Sequence, residues 1–244
     1  MKSILRALLG GILLLGMAGA WGLWTASTGK AAETAPAKIQ TLVLSGGEIH
    51  DYKGNGQAVL EALRGREEFE VTYVENDLNA LVAPHLDPYE VLIFFYTVGT
   101  LTDAQKNGLL NWVASGKGFV GFHSAADSFR DCPEYRAMVG GHFITHPAYR
   151  DYQVSVVRSD HPIVQGLPDE FMVRDEQYIL DYDPRVNVLA NALYQGRAMP
   201  VAWTKSWGRG RVFYLALGHD PAACQHEMFR ELLRRGALWA AGRL

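Results

Sequence analysis

The sequence predicts an α/β fold with a mostly parallel sheet. Short apolar runs recur along the chain, and amphipathic helical patterns lie between several of them. Such alternation is typical of βαβ units, in which a helix returns the chain to the next parallel strand. The chain has 244 residues and is 48% hydrophobic and 20% charged. This composition excludes a disordered polymer, a collagen-like chain and a long coiled coil.

The first 24 residues predict a targeting segment and not a part of the fold. Lys2 and Arg6 form a basic start, and no charge follows between Ala7 and Trp24. The small residues Ala18-Gly19-Ala20 fit a signal-peptide cleavage site, whereas an uncleaved stretch would be a membrane anchor at the short end of a span. Both interpretations predict an exported protein, periplasmic or anchored facing the periplasm in a Gram-negative cell. Residues 25–38 are typical of a linker.

The remaining residues, 39–244, suit one domain. Its first half contains four apolar runs that predict buried strands, namely Ile39–Leu44, Phe69–Val74, Val91–Tyr96 and Phe119–Phe122. Two helices are predicted between them, at Gln57–Arg64 and Thr102–Ala114. Thr102 and Gln105 have the spacing of a capping box at the start of the second helix, and Gly116 is a plausible stop.

The second half differs, because its strands are short and separated by Pro and Gly turns. This pattern predicts a small antiparallel extension, with strands at Gln153–Val157, Phe171–Val173, Val186–Leu193 and Pro200–Trp203. A tight turn then leads into a further strand at Arg211–Leu217. A short helix from Pro133 and an amphipathic helix at Met228–Trp239 complete the predicted elements.

Histidines follow three of the predicted strands. In open α/β sheets, ligands bind beyond the carboxyl ends of the strands. His50, His123 and His219 occupy the loops after the first, fourth and last strands. We therefore expect His123 and His219 to face each other within about 10 Å, close enough to share a ligand or water. We expect His50 to join them, because Gly46-Gly47 would let the backbone approach a ligand.

The segment Gly121-Phe122-His123-Ser124-Ala125 has the layout of a nucleophile elbow, with small residues around a central side chain. Histidine at the centre could be a metal ligand, a general base or an orienting hydrogen-bond donor. The alternative is a histidine that only caps the turn. Asp127, which comes shortly after, either lines the cleft or caps the following helix.

Further candidate site residues lie in the middle of the chain. His142 and His146 are spaced to clasp a metal on a helix, although the flanking Gly140-Gly141 and Pro147 argue against a helix there. Glu176 belongs to a charged cluster that is either a solvated edge or a carboxylate beside the cleft histidines. Aromatic residues near the loops, Tyr178 and Trp203 among them, suit a sugar site and an ordinary core equally well.

Several motifs together resemble the ThuA (trehalose utilisation) family, in the same order along the chain. The motifs are Gly118–Asp127, Gly140–Phe143 with His146-Pro147, Asp160–Ile163 with Gly166–Pro168, Asp175–Tyr178, Pro200–Thr204, Gly208–Tyr214 and Leu217–Asp220. The resemblance implies a flavodoxin-like fold with helices on both faces of the sheet, similar to class I glutamine amidotransferases. It also implies a role in sugar catabolism, including that of 3-keto derivatives of disaccharides.

The resemblance to amidotransferases also marks a difference. Their elbow residue is a cysteine, whereas this chain has His123 there, with His219 at the position of their histidine. Glutamine hydrolysis through a thioester is therefore not expected.

Two functions follow from the sequence. The first is an exported enzyme that processes an oxidised (3-keto) sugar or glycoside, with a divalent metal as one option. Its catalytic residues would be His123, His219 and Glu176, and its substrate contacts would be His50, His142, His146, Asp127, Tyr178 and Trp203. The second is a non-catalytic carbohydrate-binding or scaffold protein with an inherited cleft. The formal net charge of −3 argues against a nucleic-acid partner.

The two cysteines, Cys132 and Cys224, follow loops at the same predicted edge of the sheet. Export would permit a disulfide between them. The alternative is two unrelated thiols, each beside a turn.

Overall fold

The computed structural model describes residues 37–244, and the predicted signal peptide or anchor lies outside them. Within this part of the chain the strands are β1 (Ile39–Gly47), β2 (Phe69–Glu75), β3 (Val91–Thr97), β4 (Gly118–Phe122), β5 (Gly141–Thr145), β6 (Arg150–Val156), β7 (Glu170–Asp175), β8 (Ile179–Tyr182), β9 (Asn187–Tyr194), β10 (Arg197–Trp207) and β11 (Gly210–Leu215). The α-helices are α1 (Tyr52–Leu63), α2 (Ala83–Leu86), α3 (Asp103–Ala114), α4 (Pro133–Val139), α5 (Pro221–Cys224) and α6 (Glu227–Ala240). None of these helices has the length and hydropathy needed to cross a membrane.

Nine strands form one sheet in the order β2-β1-β3-β4-β11-β10-β9-β6-β7. The first five are parallel to one another. With β11 as the fifth strand, their order is the 2-1-3-4-5 arrangement of flavodoxin-like folds. The predicted fold class is therefore confirmed.

The antiparallel extension is larger than predicted. β10, β9, β6 and β7 continue the same sheet with antiparallel pairing. β5 and β8 pair with each other in a separate two-stranded sheet. The sequence pattern missed these two strands because they are only five and four residues long.

Helices cover both faces of the parallel part. Apolar side chains of α1 and α6 belong to one buried cluster, and those of α3 and α4 belong to a second. Helix α6 comes very close to β11, because a Cβ added at Gly236 would lie only 2.1 Å from Cδ1 of Phe213. Glycine is needed there for close packing, although it weakens a helix interior.

The predicted helices are present, and their ends have identifiable causes. The capping box of Thr102 and Gln105 forms at the start of α3. Helix α1 begins earlier than predicted, because the Asp51 carboxylate accepts a hydrogen bond from the Gly54 N–H at 2.9 Å. A side chain that satisfies a free N–H group of the first turn stabilises a helix start.

Of the two alternatives for the cysteines, the structure shows two unrelated thiols, because Cys132 and Cys224 are both free and buried. Cys132 belongs to the apolar cluster on the α3 and α4 face. Cys224 belongs to the cluster on the α1 and α6 face. The sheet separates the two thiols, which the position of their loops along the chain did not reveal.

Candidate functional site

Three histidines meet at the carboxyl edge of the parallel strands. His50 follows β1, His123 follows β4 and His219 follows β11. The ring centroids are 5.0 Å apart for His50 and His123, 5.0 Å for His50 and His219, and 5.2 Å for His123 and His219. Nε2 of His123 lies 3.3 Å from Nδ1 of His219. The predicted meeting of these three side chains is confirmed.

His123 occupies a strained turn at the end of β4. Its φ angle is +41°, in a region that residues other than glycine adopt only uncommonly and that is concentrated at functional sites. One contact with β11 and one with the residue that follows it hold His123 there. The Tyr214 hydroxyl donates to the His123 carbonyl at 2.8 Å, and the Nδ1–H of His123 donates to the Ala216 carbonyl at 3.1 Å. This geometry fits the predicted elbow.

His50 is held by the neighbouring strand β3. Its Nδ1 lies 2.7 Å from the hydroxyl oxygen of Thr97. Gly47 has a φ of +96°, and a Cβ there would lie 2.4 Å from the Thr97 carbonyl oxygen. The glycine therefore allows β1 to approach β3 closely, whereas the sequence suggested an approach to a ligand.

Glu176 connects the histidines. Its Oε2 lies 3.1 Å from Nδ1 of His219 and 3.4 Å from Nε2 of His123. Its Oε1 lies 3.1 Å from Nδ1 of His146, which follows β5. The alternative of a solvated charged edge is wrong, because only 10% of the Glu176 side chain is exposed.

Burial and mutual charge shift the pKa values of this cluster. Burial would raise the pKa of Glu176, but hydrogen bonds and charge from His123 and His219 outweigh it and lower the pKa below its ordinary value. The hydrogen bond to Glu176 raises the pKa of His219. Burial, followed by the charges of His123 and His219, lowers the pKa of His50 to about 3. His50 is therefore a neutral imidazole at neutral pH, which can accept a hydrogen bond or bind a cation.

Asp175 is a site residue that the sequence reasoning missed. It is buried, and its carboxylate accepts hydrogen bonds from the backbone N–H groups of Gly218 at 2.7 Å, His219 at 3.1 Å and Glu176 at 2.8 Å. Burial raises its pKa, although these N–H groups act in the opposite direction. Asp175 thereby joins the loop of His219 to the loop of Glu176. Its place next to Glu176 in the charged cluster was the available signal.

Aromatic rings form one wall of the cluster. The ring of Tyr178 lies 3.9 Å from that of His123 and 4.4 Å from that of Phe143. Tyr149, another of the aromatic residues near the loops, lies 5.6 Å from the ring of His219. Burial and then the charge of Asp220 raise the pKa of Tyr149 to about 12, so its hydroxyl stays protonated at neutral pH.

Three predicted substrate contacts lie apart from the cluster or have other partners. His142 faces Asp181 across the β5–β8 pair at 4.0 Å. Asp127 is buried and forms an ion pair with Arg130 at 2.7 Å. Trp203 is fully buried and packs on Tyr214, and its Nε1–H donates to the carbonyl of Val139 at 2.9 Å. Trp203 is therefore a core residue, which was the alternative interpretation of the aromatic residues.

Four of the converging side chains could hold a metal ion. His50, His123, Glu176 and His219 each offer a ligand atom, and these four atoms all lie within 4.8 Å of one another. Three imidazoles and one carboxylate are a donor set that suits divalent first-row transition metals. The cluster could equally work as a carboxylate that orients a histidine for proton transfer.

One family model matches most of the chain. The family model for ThuA, trehalose utilisation, matches residues 40–240. The chain belongs to the ThuA family. The match includes every residue of the cluster. The family description, trehalose utilisation, suggests a carbohydrate-related role for this ThuA protein. No curated protein sequence matches the chain.

Solved structures support the fold of this ThuA protein. A ThuA-like protein from Parabacteroides merdae is similar with a TM-score of 0.77 and 23% identity, over 84% of this chain and 90% of that one. A ThuA-like protein from Bacteroides uniformis has a TM-score of 0.71 and 22% identity, over 87% and 95%. A β-galactosidase from Bacillus circulans sp. alkalophilus has a TM-score of 0.57 and 14% identity, over 82% of this chain and only 31% of that one. At these identities the likeness is one of fold.

Proposed function

We propose that this ThuA protein is an enzyme that processes an oxidised (3-keto) sugar or glycoside in carbohydrate catabolism. The observation that carries the proposal is the convergence of His50, His123, His219 and Glu176 beside aromatic rings. Aromatic faces suit the apolar faces of sugar rings, and convergent polar groups fix the orientation of a ligand. The carbohydrate context of the family supports the same class of substrate.

A 3-keto group makes the adjacent C–H acidic, so the first step is removal of that proton. The C–H electron pair moves into an enolate, whose negative oxygen must be stabilised by positive charge or hydrogen-bond donors. The enolate then either expels a leaving group from the next carbon or takes up a proton at another carbon. These outcomes correspond to elimination and isomerisation, and net hydrolysis follows if water adds after elimination.

The histidines of the site differ in how far solvent and substrate can reach them. The inner histidine His123 is completely buried, whereas 31% of the His219 side chain and 40% of the His146 side chain are exposed. His146 contacts Glu176 through Nδ1, and it is the histidine of the cluster that a substrate reaches most easily. We assign proton transfer to His146 and stabilisation of the enolate to the inner histidine, His123.

Turnover of a 3-keto-disaccharide by the purified protein tests the proposal, with the unoxidised disaccharide as the comparison. We expect consumption of the keto sugar only. We expect His146→Gln to lower kcat by about 10²–10⁴-fold, the range for a lost acid–base group. We expect His123→Asn to lower it by about 10²–10³-fold, the range for a lost group that stabilises an oxyanion. Asparagine is chosen at position 123 because it tolerates the left-handed backbone.

His142→Gln is the matched control, because His142 lies on β5 near His146 but contacts Asp181. It should leave kcat within about twofold of the wild type, as surface substitutions usually have small effects. Saturable binding of the keto sugar without any product would contradict the proposal. That result would favour the alternative, a non-catalytic carbohydrate-binding protein.

The proposal includes an exported location, periplasmic or anchored facing the periplasm. Its support is the basic start and the uncharged stretch from Ala7 to Trp24 in the sequence. A small-molecule carbohydrate would then be met outside the cytoplasm.

A further inference from the structure

We propose that His50, His123, His219 and Glu176 bind one divalent first-row transition-metal ion. The three closest ligand atoms are Nε2 of His123, Nδ1 of His219 and Oε2 of Glu176, which are separated by 3.1–3.4 Å. Ligand atoms about 2.0–2.2 Å from a metal lie roughly 3.0–3.5 Å from each other at octahedral or tetrahedral angles. The three separations are therefore those of atoms that share a metal ion.

The hydrogen bonds behind the histidines leave the required atoms free. The Nδ1–H of His123 donates to the Ala216 carbonyl, which leaves Nε2 as the ring nitrogen that faces the cluster. Nδ1 of His50 is occupied by the Thr97 hydroxyl, which leaves Nε2 as the ligand atom. Outer hydrogen bonds of this kind orient metal-binding histidines and fix their tautomers.

The donor set also decides the class of metal. Three nitrogens and one oxygen do not suit Ca²⁺ or Mg²⁺, which prefer oxygen ligands. Mn²⁺, Fe²⁺, Co²⁺, Ni²⁺ and Zn²⁺ accept imidazole and carboxylate together. Metals that take five or six ligands leave positions on the exposed side of the cluster. The keto oxygen and the neighbouring hydroxyl oxygen of a 3-keto sugar would fill two of them.

This inference deepens the proposed function, but metal binding can be measured without any substrate. The whole chain, stripped with a chelator, is titrated with Mn²⁺, Co²⁺, Ni²⁺ and Zn²⁺ by calorimetry. The absorption spectrum of bound Co²⁺ reports its ligands. We expect one ion per chain. Loss of a hydrogen-bond partner behind a metal ligand typically costs about 10–100-fold in affinity. We expect His219→Ala and Glu176→Gln, which change proposed ligands, to weaken binding at least as much.

His142→Gln is again the control, because it removes a histidine outside the set, and it should bind the metal like the wild type. No binding by the wild type, or equal binding by wild type, Glu176→Gln and His219→Ala, would overturn the inference. Absence of metal binding together with turnover of the keto sugar would overturn the inference and leave the proposed function standing. Tight binding that depends on Glu176 and His219, without keto-sugar turnover, would support the metal site and contradict the proposed function.

Discussion

At the scale of single residues, the candidate site depends on a buried carboxylate that is not itself in the histidine cluster. Asp175 accepts three backbone N–H groups, two from the loop after β11 and one from Glu176. A buried carboxylate such as that of Asp175 stabilises the fold only while N–H groups donate hydrogen bonds to it. The position of His219 relative to Glu176 therefore depends on Asp175.

We expect Asp175→Asn to lower the free energy of unfolding by about 1–3 kcal/mol, because the new amide NH₂ faces backbone N–H groups that need an acceptor. The kcat for the keto sugar should fall with it, and metal affinity should weaken, since the two loops lose their common anchor. Urea unfolding and calorimetry measure these changes. Asp151→Asn is the control, because the Asp151 side chain is exposed and pairs with Arg174 across the strands. Unchanged stability and metal affinity in Asp175→Asn would contradict the assigned role.

At the scale of elements, ion pairs on the surface of the last helix, α6, add to the stability that its apolar packing gives. Glu231 on α6 forms ion pairs with Arg234 at 2.9 Å and Arg235 at 2.6 Å. The hydrogen bond from Arg234, followed by that from Arg235, lowers the pKa of Glu231 to about 2 against the opposing effect of burial. These pairs at i,i+3 and i,i+4 lie on the helix surface, with the apolar side against the sheet.

The lowered pKa of Glu231 makes the contribution of its ion pairs to the free energy of unfolding depend on pH. Because the folded-state pKa lies below the ordinary value of 4.5, the stabilisation is fully present above about pH 4.5 and is lost as the pH falls to about 2. We expect Glu231→Gln to reduce the free energy of unfolding by about 1–2 kcal/mol at pH 7, after allowance for solvent screening. The difference from the wild type should shrink towards zero between pH 4.5 and pH 2.

Urea unfolding at several pH values measures this difference. Glu67→Gln provides the control, because Glu67 is exposed and should show the wild-type pH dependence. If the difference in free energy of unfolding between wild type and Glu231→Gln stays constant down to pH 2, the ion pairs are not its cause.

At the scale of the whole molecule, one continuous sheet positions the site. The parallel half supplies His50, His123 and His219, and the antiparallel half supplies Glu176, with His146 coming from the separate β5–β8 pair. The same sheet keeps Cys132 and Cys224 on opposite faces. The domain is therefore stabilised by its two cores without a disulfide between these cysteines.

We expect the protein produced in its source cell to be exported. N-terminal sequencing should find Trp21 as the first residue if the segment is cleaved after Ala20, or an intact N-terminus in the membrane fraction if it is an anchor. Replacing Ala20 with Phe should block cleavage without stopping export, because the cleavage site needs small residues. An intact chain in the cytoplasmic fraction would contradict the proposed location.

Sequence patterns predicted the parallel half and its three histidines for a simple physical reason. Strands buried on both faces are continuous apolar runs, and parallel strands bring the loops at their carboxyl ends to one edge. The same reasoning could not separate His142 from His146. A break in the β5–β8 register between Phe143 and Thr145 changes the face on which later side chains lie. His146 therefore reaches Glu176, whereas His142 faces Asp181.

The sequence by itself determined the fold class, the family and the loops in which His50, His123 and His219 lie, because these depend on local patterns and the order of strands. Only the tertiary structure decided that Glu176 and Asp175 join those histidines, because this needs β7 to end beside the loop after β11. Tyr178 and Trp203 are both buried, and only their contacts place Tyr178 against His123 and Trp203 against Tyr214. Side chains of the same type differ in role according to what the folded chain packs against them, and contacts distant in sequence set that packing.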